Sequence, residues 1–186
     1  EFLQPTTFDV CVRTPLPPIA VDNVTYTVEQ LVNDVLINSE CAQISNITYS
    51  TGTNFINDEG EAGPNGIAYF QKNGSQFVLE EGILLTTGNA MEAPGPETGS
   101  IEAGDKSWPG DEDLNAIVLA ETGIPMNSTN ATILEFDFVP LIDHMSFDFL
   151  FASEEYGTYQ CDFSDSFAFL LTDSEGTTVN VAVVPG

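Results

Sequence analysis

An alternation of phenylalanine in the second half of the chain constrains its fold more than any other feature. Leu134, Phe136 and Phe138 alternate with Glu135 and Asp137, and Phe147, Phe149 and Phe151 alternate with Ser146, Asp148 and Leu150. Successive strand residues point to opposite faces, so a period of two places every second side chain on one face of a sheet. Each run therefore predicts a strand with one face in the core. Short runs rich in β-branched or aromatic residues, bounded by Gly, Asn or acidic turns, predict further strands at 44–50, 67–70, 77–79, 83–87, 166–172 and 178–184. Two helices interrupt them. Val28, Leu31, Val32, Val35 and Leu36 recur at helical steps behind a Thr27–Gln30 capping box, and a second helix carries Leu114, Ile117, Val118 and Glu121. Asp111 or Asp113 caps that second helix, and Gly123 with Pro125 ends it. About eight strands and two short helices fit a mainly β, antiparallel β-sandwich or jelly-roll-like domain.

Charge then removes whole classes of partner. The chain has 186 residues, 29 Asp or Glu against 3 Lys or Arg, and a formal net charge of -26. Arg13, Lys72 and Lys106 cannot neutralise a phosphate backbone or dock on anionic lipid, so nucleic acid and membrane surfaces are excluded as partners. No run approaches the about 18 consecutive apolar residues of a transmembrane helix, which excludes direct insertion of that kind. The charge does not imply disorder, because 42% of residues are hydrophobic and 13 are Phe. Residues 1–24, with Pro5, Pro15, Pro17 and Pro18, read as a lead-in or linker. Residues 25–186 read as one β domain, truncated at its C-terminal end, since a chain from Glu1 to Gly186 reads as a piece of a longer polypeptide. The segment 88–112 holds Gly, Pro and acids without apolar period and predicts a long surface loop.

Chemistry has few carriers. The single histidine, His144, lies between two strand-like runs and reads as a turn residue, and no Walker lysine, dinucleotide or HExxH motif is present. Cys11, Cys41 and Cys161 do not have metal-ligand spacing. One disulfide with one cysteine left over is the simplest reading, and three buried thiols are the alternative. In an exported chain a Cys41–Cys161 bridge would close a loop of about 120 residues, worth about 4–5 kcal/mol. Carboxylates admit two readings, acid/base catalysis and binding of a hard cation. Glu154 and Glu155 are adjacent, so in a strand they face opposite ways and cannot share a catalytic site unless the backbone turns there. Calcium needs oxygen ligands converging from Asp-, Asn- and Gly-rich loops. Asp111 and Asp113 after Gly110, and Asp162 and Asp165 after Cys161, are candidates; 57–61 is a third segment. Acid runs in exposed turns are ordinarily just solvated, and that reading stands beside calcium.

Asn-X-Ser/Thr sequons begin at Asn23, Asn46, Asn73, Asn127 and Asn130; Asn enrichment in turns also produces such matches. Phe151-Ala152-Ser153-Glu154-Glu155-Tyr156, then Cys161 and Phe163-Ser164-Asp165-Ser166-Phe167-Ala168-Phe169, resembles the signature of the bacterial choice-of-anchor L domain family. The helix at 27–36, the segments 41–46, 66–70 and 82–88, Asp111 to Leu114 and 131–140 agree in order, so the resemblance covers about 25–186. It implies an exported cell-surface protein of Bacteroidota and other bacteria, often very long, with adhesin-like members carried by type IX secretion. It also implies pairing of Cys41 with Cys161, and leaves Cys11 for a neighbouring domain or another chain. Ser164 stands where the family has Asn, which weakens a ligand role there while Asp165 keeps its acid. With Glu154 and Glu155, these acids form the expected calcium set of Asp111, Asp113, Glu154, Glu155, Asp162 and Asp165. The resemblance supplies no catalytic residue set.

The expected function is a non-enzymatic module for adhesion or extracellular filament assembly. Its expected partners are other domains of the same polypeptide and surface glycans or proteins. A carbohydrate-binding or glycan-cleaving domain is the alternative, with Tyr69, Tyr156, Tyr159 and Trp108 available to stack on sugars. A spacer domain of a surface fibre is a third.

Overall fold

The computed structural model of the chain describes residues 16–37, 40, 42–95, 101, 107–143, 145–153, 159 and 164–182. Among them the architecture is mainly β, with every strand pair antiparallel and no closed barrel. Strand β1 (Ala20–Asp22) leads to helix α1 (Val28–Gln30), whose chain continues as a wider π-helical turn over Leu31–Leu36. Then come β2 (Ala42–Ser50), β3 (Ile67–Gln71), β4 (Glu81–Leu85), α2 (Glu112–Thr122), β5 (Ile133–Pro140), β6 (Leu170–Thr172) and β7 (Thr178–Asn180). They form a β1-β3-β4 sheet and the pairs β2-β5 and β6-β7.

Local chemistry accounts for the helices. The Thr27 hydroxyl accepts from Gln30 N–H while the Gln30 side chain accepts from Thr27 N–H, the reciprocal capping box expected from sequence. Asn33 Nδ2 donates to the Glu29 carbonyl, a side-chain competitor inside the ladder of the kind that loosens a helix, and Ile37 N–H bonds to Val32 O. Leu31 and Val32 become buried there, and the π-helical turn packs on β4. Asp111 caps α2 through Leu114 N–H, and Gly123 ends it at φ +71°, where a Cβ would be strained.

The β2-β5 pair contains a bulge. Ser45 faces Asp137 and Thr48 faces Glu135, so Asn46 and Ile47 together oppose Phe136. Asn46 takes the left-handed conformation at φ +51°, and its Nδ2 donates to Asp137 Oδ2 at 2.7 Å. The extra residue resets the alternation, so Ile44 and Ile47, three apart, are both half-buried while Ser45, Asn46 and Thr48 are exposed. Across from them Phe136 and Phe138 are half-buried and Glu135 and Asp137 exposed, as their alternation predicts.

The segments that follow β2 and precede β5 meet at Trp108, which is 1% exposed. Its indole N–H donates to Ala131 O at 2.9 Å, its carbonyl accepts from Asn130 N–H, and Pro109 O accepts from Ala131 N–H. The other side of the ring rests on Gly52, where a Cβ would come within 2.9 Å of Trp108 and 2.5 Å of Pro64 O. Next to this contact, Thr132 Oγ1 donates to Thr86 O and Thr86 N–H to Gly66 O, joining the start of β5 to the β3-β4 hairpin.

Several expectations need correction. The loop 88–112 is not confined to the surface, because Ala90 and Trp108 are both buried. Residues 77–79 form no strand: Phe77 turns onto the edge of Phe70, ring centroids 5.5 Å apart at 84°, and Ser75 Oγ accepts its N–H. Residues 147–151 form no regular strand either, and 166–172 contributes only β6, because Phe169 N–H is taken by the Asn180 side chain. Of 178–184 the strand spans Thr178–Asn180, with 183–184 outside the described residues. Seven strands are therefore present among the described residues where about eight were expected. Ala20–Asp22, read as lead-in, form an edge strand on β3, a place that tolerates nearby prolines.

Replacing Trp108 with Ala is expected to lower stability by about 3–5 kcal/mol. Trp108→Phe keeps one six-membered ring, loses the pyrrole part of the indole and orphans the Ala131 carbonyl, the last at about 1–3 kcal/mol. Urea unfolding of both variants checks the order; equal costs would mean that the retained ring of Phe contributes nothing and that the loss lies in the indole hydrogen bond, which both variants lack.

Candidate functional site

The acidic segments resolve first into structural roles. Asp111 is the N-cap of α2: Oδ1 accepts from Leu114 N–H at 2.7 Å, while its own N–H donates to Ser128 Oγ. Asp113 lies exposed in the first turn of α2, where the helix N-terminus favours negative charge. Asp165 is exposed and accepts from Ser153 Oγ at 3.2 Å. Glu154, Glu155, Asp162, Cys11, Cys41, Cys161, His144 and Tyr156 lie outside the described residues. Among the described residues no group of three His, Cys, Asp or Glu side chains converges in a way that could hold a metal ion.

The third acidic segment, 57–61, is a turn with a definite hydrogen-bond plan. Asn57 Oδ1 accepts from Glu59 and Glu61 N–H, Gly60 N–H donates to Asn57 O, Asn57 N–H donates to Glu61 O, and Gly60 stands at φ +85°. Asp173 repeats this with Glu175, Thr177 and Gly176, again at φ +85°, and so closes the β6-β7 hairpin. Both acid runs are Asx-centred turns whose remaining carboxylates face solvent. The sequons follow similar logic. Asn46, Asn73 and Asn130 hold the three non-glycine positive-φ positions among the described residues, and Asn130 is only 4% exposed.

Two surfaces stand out. The first is apolar. Phe147 meets Phe169 at 4.9 Å and Phe149 meets Phe167 at 5.6 Å, so a step of two forward on one segment matches a step of two back on the other, as in an antiparallel pair. Val181 N–H donates to Phe169 O, and Leu171 pairs with Val179. Phe149, Phe151, Phe167, Leu171, Val179 and Val181 thus share one side of three adjacent segments, all of them exposed and Phe149 and Phe151 at 51% each.

The second is polar and lies on the β1-β3-β4 sheet. Tyr69, Gln71, Glu81 and Asp22 share one face by register with Ala20, Ile67, Ile83 and Leu85, Gln71 and Glu81 standing at the hairpin end, and Tyr26 stands against Tyr69 with ring centroids 5.0 Å apart. Tyr69 O–H donates to Glu81 Oε2 at 2.6 Å; that bond, then burial and the carboxylate's charge, push the phenol up to about 12. On the same face Asp22 is held below the usual carboxylate range by the Thr25 hydroxyl and the Thr25 and Val24 amides. An open cavity of about 430 Å³ adjoins this face, lined by Gln71, Lys72, Asn73, Gly74, Glu80 and Glu81. Lys72 pairs with Glu80 at 2.6 Å.

Sequence reasoning named Tyr69 for sugar stacking but missed Tyr26, Gln71 and Glu81. The Asn73-Gly74 dipeptide, with φ +51° and +71°, was the available signal, because it turns the chain after β3 and opens the connection that returns as β4. Trp108 is buried and cannot stack on a ligand, whereas Tyr159 is exposed.

The Tyr69 pair has a measurable signature. Since its folded value exceeds the ordinary value of 10, its stabilisation is whole below pH 10 and is lost as pH rises through about 12. Tyrosinate absorbance is expected to show one late-titrating group, which returns to the ordinary range in Glu81→Gln.

A family model described as the choice-of-anchor L domain matches residues 20–186. No curated protein and no solved structure matches the chain.

Proposed function

Because the chain belongs to the choice-of-anchor L domain family, and so to a surface or extracellular protein, we propose that it is a non-enzymatic module through which a large secreted bacterial protein adheres or assembles into filaments. The observation that carries this reading is the apolar surface of Phe149, Phe151, Phe167, Leu171, Val179 and Val181. Contiguous exposed apolar area of this kind marks a protein-interaction site. Its expected partner is another protein domain, in the same polypeptide or on a neighbouring surface. A net charge of -26 opposes stacking of bare copies on one another. No helix among the described residues is long and apolar enough to cross a membrane.

The test uses the full parent protein displayed on cells, with Phe149→Ser and Phe151→Ser together. Both rings are half exposed, so the fold is expected to survive. Attachment or filament formation should drop to the level of cells lacking the protein, at unchanged display. Undiminished attachment would overturn the reading.

Calcium stays in the proposal as a stabiliser bound by the acidic segments, with a Cys41–Cys161 bridge bracing the same region. Asp111 separates capping from ligation, because Asn caps as well as Asp but carries no charge. Without calcium, Asp111→Ala should cost about 0.5–2 kcal/mol and Asp111→Asn little. If Asp111 is a ligand, Asp111→Asn loses the rise in Tm that calcium gives the parent chain; an identical rise in both removes Asp111 from the calcium set.

A further inference from the structure

We infer that the turn end of the β3-β4 hairpin is a binding site for a neutral glycan, lined by Gln71, Lys72, Glu80 and Glu81 where the chain leaves and re-enters the sheet. The inference rests on the surface-module reading only for where the glycan is met; the site itself stands on the geometry of the hairpin.

Register creates the site. Lys72 N–H bonds to Glu80 O, so Gln71 and Glu81 form the adjoining pair without mutual backbone hydrogen bonds, where opposed side chains stand closest. Tyr69, two residues before Gln71 on the same face, reaches diagonally to Glu81 and fixes its carboxylate through Oε2. Glu81 Oε1 and the Gln71 side-chain amide have no hydrogen-bond partner among the described residues. They remain as an acceptor and a mixed donor and acceptor at the cavity rim. Lys72 adds donors and Glu80 acceptors, held in place by their ion pair.

The lining selects the ligand class. All six lining residues are polar or glycine, so an apolar ligand gains nothing there. The volume of about 430 Å³ is within the range of small-ligand sites, about 300–1,000 Å³. Glu80, Glu81 and the acidic excess of the chain repel phosphates, sulfates and uronates. A bound cation would find too few ligands, because the lining offers two carboxylates and one of them is paired with Lys72. Sugar hydroxyls, which donate and accept at once, match neighbouring carboxylate, amide and ammonium groups, with Tyr69 outside the lining fixing the Glu81 carboxylate.

The experiment titrates the folded chain with neutral cello-, malto-, manno- and galacto-oligosaccharides, with an oligouronide as charge control. Binding is read by calorimetry and by amide shifts of Gln71, Lys72 and Glu81. At least one neutral series should bind, the oligouronide should not, and Gln71→Ala and Glu81→Gln should each weaken binding about tenfold, the effect of one lost hydrogen bond to a charged or paired group. Gln71 is exposed, so its variant reports on the site without unfolding the chain. Absence of binding in every neutral series, binding unchanged in both variants, or preference for the oligouronide would overturn the inference. Attachment through the apolar surface is scored separately, so either can fail alone.

Discussion

The contact on which the other elements depend is the edge-on burial of one indole between two backbones. Trp108 is held on one side by the Ala131 carbonyl and on the other by Gly52, a position where any side chain would collide with Pro64 and with the ring. Those segments end β2 and begin β5, while neighbouring Thr132 and Gly66 begin β5 and β3. A ring that large supplies both area and a directional N–H, so one residue sets distance and orientation together. Few other apolar side chains are buried with it among the described residues, namely Leu31, Val32, Ile67, Ala68, Phe70 and Ala90, and Thr51 and Asn130 join them as buried polar groups. With so small a core, the junction carries a large part of the specificity.

Acid excess acquires several meanings at the level of single residues. Asp111 closes a helix, Asp173 closes a hairpin, Asp137 holds the left-handed Asn46 of the bulge, and Glu81 holds a tyrosine. In each case the carboxylate accepts hydrogen bonds from neutral donors. Lys72 with Glu80 is the one ion pair among the described residues. A chain with three cations cannot build its interior from salt bridges; amides and hydroxyls take over that role.

Features written in local sequence were legible in advance. The Thr27–Gln30 box, the Asp111 cap, the Gly123 stop and the inward Phe136 and Phe138 all depend on neighbours a few residues away, and periodicity or capping grammar reports them. Non-local features were not. Nothing around Trp108 distinguishes a buried indole from a loop aromatic, since its partners Gly52 and Ala131 are distant in the chain. Phe147 to Phe151 carry strand periodicity, yet the ladder that would make them a strand depends on a neighbour's free amides, and Asn180 claims one of these. The tyrosine-carboxylate face escaped notice because Tyr26, Tyr69 and Glu81 come from three elements whose register only the Asn73-Gly74 turn hinted at.

The burial of Asn130 has a consequence for how such a chain can be made. Asn130-Ala131-Thr132 is a legitimate acceptor sequence, and its asparagine sits in a left-handed turn directly under the Trp108 carbonyl. Oligosaccharide transferases of eukaryotic secretory compartments act on nascent chain, before tertiary structure can hide an acceptor. A glycan on a side chain that is only 4% exposed in the folded chain could not be buried with it, so the turn that carries the Trp108 carbonyl's hydrogen bond would not close as it does here. The same residues are harmless in a cell without that pathway, so the choice of expression host decides whether this turn is a structural element or a lesion.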